Sequence, residues 1–125
     1  FDADGNHLWS KRFGDTSQQQ GHSVACDGSG NVVVTGHFVG SVDFGGRALM
    51  SAGGADIFLA RFDADGTHLW SKRYGDASTQ VGYGVACDGS GNVVVTGNFE
   101  GNVNFGGGPL TSAGGWDIFL AQFEP

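Results

Sequence analysis

The sequence repeats itself with a period of 61 residues, and this repeat limits the possible folds more than any other feature. Residues 1–64 align with residues 62–125 without a gap, and 18 of the 64 aligned positions differ. The segment VACDGSGNVVVTG occurs unchanged at 24–36 and 85–97. The chain therefore contains two copies of one structural unit, repeat 1 at 1–61 and repeat 2 at 62–125.

Each unit is predicted to form four short strands and no helix. The first strand, 22–26, is followed by the turn DGSGN and the second strand, 32–38. A glycine-rich segment, 39–55, leads to the third strand, 57–62, and the turn DADG leads to the fourth, 68–74. These strands are rich in β-branched and aromatic residues without helical spacing. The 24 glycines of the chain suit the tight turns between them.

The middle strands of each unit are apolar on both faces, as expected for a sheet that is covered on both sides. Four such strands per repeat predict an all-β fold in which each repeat is one blade of a β-propeller. A β-solenoid is the alternative, with shorter coils and turns that need not follow a hairpin pattern. The unit is longer than the roughly 40–50 residues of common blades, and segment 39–55 accounts for the surplus.

Four motifs of this chain, DGSGNVVVTG, VDFGG, DIFLARFD and LWSKRFG, carry a family resemblance. Together they resemble the bacterial SBBP-type β-propeller repeats over nearly the whole chain. The resemblance implies a propeller fold and a secreted or cell-surface location. It implies no agreed activity and supplies no catalytic residues.

Two units are too few for a propeller, which needs about four to eight blades. Residues 1–13 are expected to supply the fourth strand of a blade completed by residues 83–124, so that strand exchange closes a cyclic homo-oligomer. Three copies with six blades are favoured, and four copies with eight blades come next. An engineered fragment, or an excerpt of a longer array, is the alternative. The residues expected to close the oligomer are His7, Leu8, Trp9, Phe13, Ile118, Phe119 and Leu120.

Thirteen of the 18 differences between the copies fall within 16–23 and 37–55. Both segments are expected to emerge on one face of the propeller, which is therefore the variable face. A ligand or partner surface is one interpretation of this variation, and drift in tolerant loops is the other. The candidate residues for binding a protein or a glycan are His22, His37, Asp43, Arg47, Tyr83, Asn98, Glu100 and Trp116.

The residues that could carry chemistry do not indicate an enzyme. No His, Asp or Glu lies at a spacing that argues for a triad with Cys26 or Cys87, and both cysteines are expected to be small buried hydrophobes. No cofactor is predicted. The DADG turns are weak calcium candidates, although a tight turn capped by Asp accounts for the same residues. Their carboxylates are those of Asp2, Asp4, Asp63 and Asp65.

The charge balance narrows the partners. Six Lys and Arg against thirteen Asp and Glu give a net charge of −7, so nucleic-acid binding is not expected because it depends on neutralising phosphates. No apolar run is long enough to span a membrane. The sequence predicts a non-enzymatic propeller module that is structural or binds a partner. A lectin-like propeller that binds carbohydrate on the variable face is the alternative.

Overall fold

A computed structural model describes all residues from Phe1 to Pro125 as an all-β chain without a helix. None of its elements is therefore an apolar helix that could cross a membrane. The eleven strands are β1 (Gln19–Cys26), β2 (Val32–Phe38), β3 (Ser41–Asp43), β4 (Ala48–Met50), β5 (Asp56–Phe62), β6 (His68–Tyr74), β7 (Gln80–Cys87), β8 (Val93–Phe99), β9 (Asn102–Asn104), β10 (Pro109–Thr111) and β11 (Asp117–Phe123).

Seven strands build two antiparallel sheets, and β6, which lies in repeat 2, completes the first of them. The first sheet has the order β1-β2-β5-β6, and the second has the order β11-β8-β7. The predicted second and fourth strands coincide with β2 and β6, and the predicted third strand is one residue shorter than β5. β1 begins three residues earlier than predicted, at Gln19, and its pairing with β2 is interrupted by a bulge between Gly21 and Ser23.

The glycine-rich segment 39–55 contains a hairpin of β3 and β4, which the sequence did not predict, and β9 and β10 repeat it in the second unit. Val42 and Phe44 are buried against the first sheet. Gly45 and Gly46, at the tip of the hairpin, lie against the side chain of His68. The hairpin thus runs across the sheet from the end of β2 to the start of β6, and does not remain on one face of the propeller.

Both tight turns form as predicted, each around an Asp carboxylate. In the DGSGN turn, Asp27 Oδ1 accepts hydrogen bonds from the N–H groups of Ser29 and Asn31, at 2.8 and 3.0 Å. Asp63 Oδ1 accepts the equivalent bonds in the DADG turn. Gly66 closes that turn with φ of 82°, a conformation that residues with a Cβ rarely adopt.

The two sheets stack face to face, as neighbouring propeller blades do, and their contact forms the larger core. The first sheet contributes Val33, Ile57 and Leu59, which are fully buried. Burying each of these side chains contributes about 1.5–3 kcal/mol. The single chain forms one such contact between two sheets and closes no ring. The residues of the second sheet in this core are Val93, Val95, Phe99, Val103 and Phe119.

A buried ion pair fastens the two sheets at their DGSGN edge. Arg61 Nη2 lies 2.5 Å from Asp27 Oδ2, and Nη1 donates to the carbonyl oxygen of Gly91 at 2.8 Å. Asp27 belongs to the turn of the first sheet and Gly91 to the turn of the second, so one guanidinium holds both turns. Repeat 2 has Gln122 at the position of Arg61.

Residues 7–13 were expected to be a fourth strand, but they form no strand within the single chain because no sheet edge lies beside them. They pack instead against the first sheet. Trp9 Nε1 donates to the carbonyl oxygen of Ala64 at 3.0 Å, and the ring of Phe13 stacks on Phe62 with 5.4 Å between centroids.

β6 packs against the second sheet through the same contacts. Trp70 Nε1 donates to the carbonyl oxygen of Pro125 at 2.9 Å, and Tyr74 stacks on Phe123 with 5.5 Å between centroids. Residues 7–13 therefore occupy, beside the first sheet, the position that β6 occupies beside the second.

We expect Leu59→Ala to lower the free energy of unfolding by about 2–5 kcal/mol, because it opens a cavity between the two sheets. Met50→Ala serves as the control, since that side chain is exposed, and should change it by less than about 0.5 kcal/mol. Urea unfolding followed by circular dichroism measures both. Equal losses in the two variants would contradict this description of the core.

Candidate functional site

Three of the predicted binding residues meet on β1, β2 and β7. His22 of β1 and His37 of β2 stack with 4.9 Å between ring centroids, and His22 Nε2 lies 2.9 Å from His37 Nδ1. The ring of Tyr83, on β7 of the second sheet, lies 5.0 Å from that of His22. The bulges of β1 and β7 occur at His22 and Tyr83, and these two rings meet across the contact between the sheets.

The surroundings of His37 in this aromatic cluster disfavour its charged form. Partial burial lowers the pKa of His37, and the nearby His22 lowers it further. One ring nitrogen of the pair must donate and the other accept, so the hydrogen bond requires at least one neutral imidazole. The cluster contains two His and no third metal-binding side chain, and no group of three or more His, Cys, Asp or Glu in the chain could hold a metal ion.

The other predicted binding residues do not join this cluster. Asn98 occupies on β8 the place that His37 has on β2, and it pairs with Ile118. Glu100 follows β8, and its carbonyl oxygen accepts a hydrogen bond from Gln80 Nε2 at 2.7 Å. Trp116 precedes β11 and is half exposed. Because β8 lies between β7 and β11, the candidate residues Tyr83 and Trp116 lie beside opposite edges of the second sheet.

Asp43 and Arg47 lie elsewhere than expected. They belong to the tip of the first hairpin, where Asp43 Oδ1 accepts a hydrogen bond from the N–H of Gly45 at 2.7 Å. That tip lies against His68, at the DADG edge of the sheet. The prediction that these residues share a face with His22 is therefore wrong, because the hairpin carries them to the opposite edge.

The calcium candidates act as parts of turns. Asp2 Oδ1 accepts hydrogen bonds from the N–H groups of Asp4 and Asn6, at 3.0 and 2.8 Å, as Asp63 does in the second DADG turn with Asp65. These hydrogen bonds lower the pKa of Asp2, with the side chain of Asn6 making the largest contribution. The carboxylates at the first position of each turn thus already bind backbone amides.

The cysteines are less buried than predicted. Cys26 is exposed and Cys87 is half-buried, and both are free thiols. Cys26 pairs with Val32, on the face of the first sheet that no further sheet covers, whereas Cys87 packs into the core between the sheets. Burial there raises the pKa of the Cys87 thiol.

One face of the second sheet is uncovered, and we call it the open face. Ile118 and Leu120 of β11 are 80% and 72% exposed there, whereas Ile57 and Leu59, their counterparts in β5, are 0% exposed. Phe119 was expected among the same group, but it points to the opposite side of β11 and is buried in the core. The alternation of side chains along a strand accounts for this correction.

The first sheet has an apolar cavity of about 180 Å³ on its own uncovered side, which we call the slot. Phe13, Val34, Val42, Phe44 and Phe58 form its apolar lining. Their counterparts in the second unit are Tyr74, Val95, Val103, Phe105 and Phe119, which pack around the core that contains Ile57 and Leu59.

Glycines mark the same difference between covered and uncovered positions. A Cβ at Gly82 would meet Thr35 and Ile57 of the first sheet, whereas a Cβ at Gly21, the counterpart of Gly82, would meet only Val34 of its own sheet. A Cβ at Gly53 would lie 3.2 Å from Ala77 of the second unit, whereas one at Gly114 would meet nothing within 4 Å.

β11 also has an unpaired edge. β5 pairs with β6 along this edge, but no strand of the chain pairs with the corresponding edge of β11. A groove beside it is lined by residues of the second hairpin and by Leu120 and Gln122. Unpaired edges and exposed apolar faces of this kind promote association.

The sequence did not predict the glutamine amide that joins each hairpin to its sheet, which is fully buried in the second unit and partly buried in the first. The side chain of Gln80 is fully buried, and its Nε2 donates to Asp76 Oδ1 at 2.6 Å as well as to Glu100. In the first unit, Gln19 Nε2 donates to Asp15 Oδ1, also at 2.6 Å. The sequence did contain one signal for this amide. Gln19 and Gln80 are identical in the two repeats although the positions on either side of them differ.

Comparison with curated proteins gives distant relatives, at less than 30% identity. No protein-family model matches the chain, so its membership of the SBBP-type repeats stays a prediction. The chain is 26% identical over 110 residues to a WD repeat-containing protein of Acanthamoeba polyphaga mimivirus. It is 28% identical over 127 residues to the regulatory protein FlaEY of Caulobacter vibrioides.

These matches cover 74% and 98% of this chain, but the chain spans only 8% and 13% of the length of the two relatives. The likeness to a WD repeat-containing protein agrees with the all-β repeat architecture of the two stacked sheets. It is consistent with a propeller-like nature and goes no further.

The aromatic cluster predicts a pH dependence of stability. The lowered pKa of His37 means that the unfolded chain binds its proton more readily, so stability is full above the ordinary pKa of 6.5 and falls as the pH drops through the lowered value. We expect His37→Asn, which copies Asn98 of repeat 2, to reduce the fall in the thermal unfolding midpoint between about pH 7.5 and pH 5.5. Identical pH profiles of the wild type and the variant, measured by circular dichroism, would contradict this role of His37.

Proposed function

We propose that the chain is a non-enzymatic scaffold module that assembles head to tail with copies of itself into a closed, propeller-like ring. The observation that carries this proposal is the contrast between Ile57 and Leu59, which are fully buried, and their counterparts Ile118 and Leu120, which are largely exposed. The same apolar residues are covered in one unit and uncovered in the other.

A second copy has the surface that would cover them. Its slot is built from the same positions that surround Ile57 and Leu59 within the chain. Stacking the open face of one copy on the slot of the next would repeat the contact between the two sheets. Such a heterologous contact is repeated between each chain and the next. The assembly forms a closed ring when the rotations between successive chains add up to a full circle.

Segment 1–13 of the second copy would also supply the missing fourth strand. Its residues 7–13 repeat the sequence of β6 with one change, and they already lie beside their own first sheet in the place that β6 has beside the second. Residues 7–13 would thus pair with the free edge of β11 when its open face stacks on the slot.

Three copies would give six blades and four copies would give eight, within the range of about four to eight that propellers use. We propose the ring of three copies first. The WD repeat in the name of one relative fits a scaffold of propeller type. Within this proposal, the cluster of His22, His37 and Tyr83 is the site that binds a partner. It would lie near the centre of such a ring.

Native mass spectrometry tests the assembly. We expect a single species of three copies of the 12.9 kDa chain, about 39 kDa, at micromolar concentration. A species of four copies would keep the proposal and change the blade number. A monomer at all concentrations up to about 100 µM would overturn it, since an assembly of stable subunits is held by affinities in the micromolar range or better.

Ile118→Glu is expected to leave the chain folded and to abolish the assembly, because it places a charge on the open face where the slot of the next copy should cover it. Met50→Glu is the matched control. Met50 is exposed, and its counterpart Thr111 remains exposed although a sheet is stacked on that side of the second unit. Native mass spectrometry compares the two variants, and dissociation of both to the same extent would contradict the proposed contact.

Gln122→Arg is expected to strengthen the assembly. Within the chain, Arg61 links Asp27 to Gly91 across the sheets, and the corresponding contact between copies has a glutamine in place of that arginine. A charged hydrogen bond contributes about 1.5–3 kcal/mol, which corresponds to at least a roughly tenfold lower dissociation concentration. Dilution followed by light scattering measures it, and an unchanged or higher dissociation concentration would contradict the equivalence of the two contacts.

A further inference from the structure

The outer strand of the first sheet is held at its end by an ion pair. Arg73 Nη1 of β6 lies 2.5 Å from Asp56 Oδ2 of β5. The Asp56 side chain is 0% exposed, and its Oδ2 also accepts a hydrogen bond from the N–H of Ala52 at 3.0 Å. Asp56 thus depends on a cation that the neighbouring strand delivers.

The second sheet contains the same acceptor without its cation. Asp117 of β11 is the counterpart of Asp56, and its Oδ2 accepts the N–H of Ala113 at 2.9 Å, as Asp56 does from Ala52. No Lys or Arg of the chain forms an ion pair with Asp117, because the strand that would deliver it is absent beside β11. Asp117 is therefore a prepared carboxylate at the unpaired edge.

The matching cation is Arg12. It is the counterpart of Arg73 in the repeat, it is exposed, and it forms no ion pair within the chain. In the first sheet, Phe58 pairs with Arg73 and Ile57 with Tyr74. The same register on the second sheet pairs Phe119 with Arg12 and Ile118 with Phe13.

We propose that Arg12 of one copy forms an ion pair with Asp117 of the next copy, and that this pair fixes the register in which segment 7–13 adds to β11. This inference rests on the proposed ring. Backbone pairing alone would allow the segment to slip along the edge, and a slip by one residue would turn its side chains to the wrong face. An arginine at one position and a carboxylate at the other select a single register.

A charge exchange tests the pair. Arg12→Glu and Asp117→Lys each place like charges at the contact, so each is expected to raise the dissociation concentration at least tenfold in native mass spectrometry. The double variant, which carries both substitutions, is expected to recover most of the wild-type assembly because the pair is restored with reversed charges. Recovery of this kind does not follow from loss of a structural contact.

The control keeps the change in charge and moves it away from the contact. Arg47→Glu changes an exposed arginine at the hairpin tip, and a Cβ at its counterpart Gly108 meets nothing within 4 Å although a sheet is stacked beside it. This variant is expected to assemble like the wild type. Circular dichroism of all variants shows whether each chain remains folded, since Arg12 is exposed and Asp117 is half-buried.

The outcomes separate the two proposals. A wild type that assembles, with single variants that assemble equally well or a double variant that does not recover, would overturn the ion pair and leave the ring intact. A monomeric wild type would overturn the ring and the ion pair together. Loss of assembly in both single variants with recovery in the double variant would support both.

Mixing the two single variants also reports the number of copies. In an alternating ring, Asp117 of the Arg12→Glu chain meets the native Arg12 of the Asp117→Lys chain. At the next contact, the lysine introduced by Asp117→Lys meets the glutamate introduced by Arg12→Glu. Every contact is satisfied only when the number of chains is even. An equal mixture is therefore expected to close a ring of four copies and to leave a ring of three with one repulsive contact. A mixture that stays dissociated to the single chain, without even a pair of unlike chains, would overturn the ion pair.

Discussion

The packing of one sheet face on another is the interaction on which the rest of the structure depends. β5 has apolar residues on both faces, and all seven of its residues are buried, because the second sheet covers one side and the hairpin with Phe13 covers much of the other. Such a strand cannot stay at a surface. Its near-identical counterpart β11 is covered on one face only, and this difference is the physical origin of the open face.

The two repeats of the chain therefore have nearly the same sequence but different environments. Each repeat serves as an internal control for the other. Ile57 is buried and its counterpart Ile118 is exposed. Gly82 packs against the neighbouring sheet, whereas its counterpart Gly21 has no neighbouring sheet beside it. The contact within the chain has Arg61 at a position where the contact between copies would have Gln122. In the proposed assembly, this substitution is the one difference that falls on the ion pair between stacked sheets.

Local features were predictable from the sequence, and long-range ones were not. The β-branched run of β2 and the Asp and Gly residues of the turns determine their conformation through neighbouring residues, and both were predicted correctly. The hairpin of β3 and β4 was missed because its three-residue strands are stabilised by packing of Val42 and Phe44 on the first sheet, and not by a local sequence pattern. Asp43 and Arg47 were misplaced for the same reason. The Arg61–Asp27 and Arg73–Asp56 pairs join residues 34 and 17 positions apart, which no spacing indicates.

In the proposed ring, another copy of the chain completes the edge of β11. Backbone hydrogen exchange tests it most directly, because amides of a paired strand exchange slowly and those of an open edge exchange fast. At about 100 µM chain, where affinities in the micromolar range keep copies together, the edge amides of β11 are predicted to be protected as well as those of β5, and to lose this protection on dilution. Fast exchange of the β11 edge at every concentration, with β5 protected, would contradict the account.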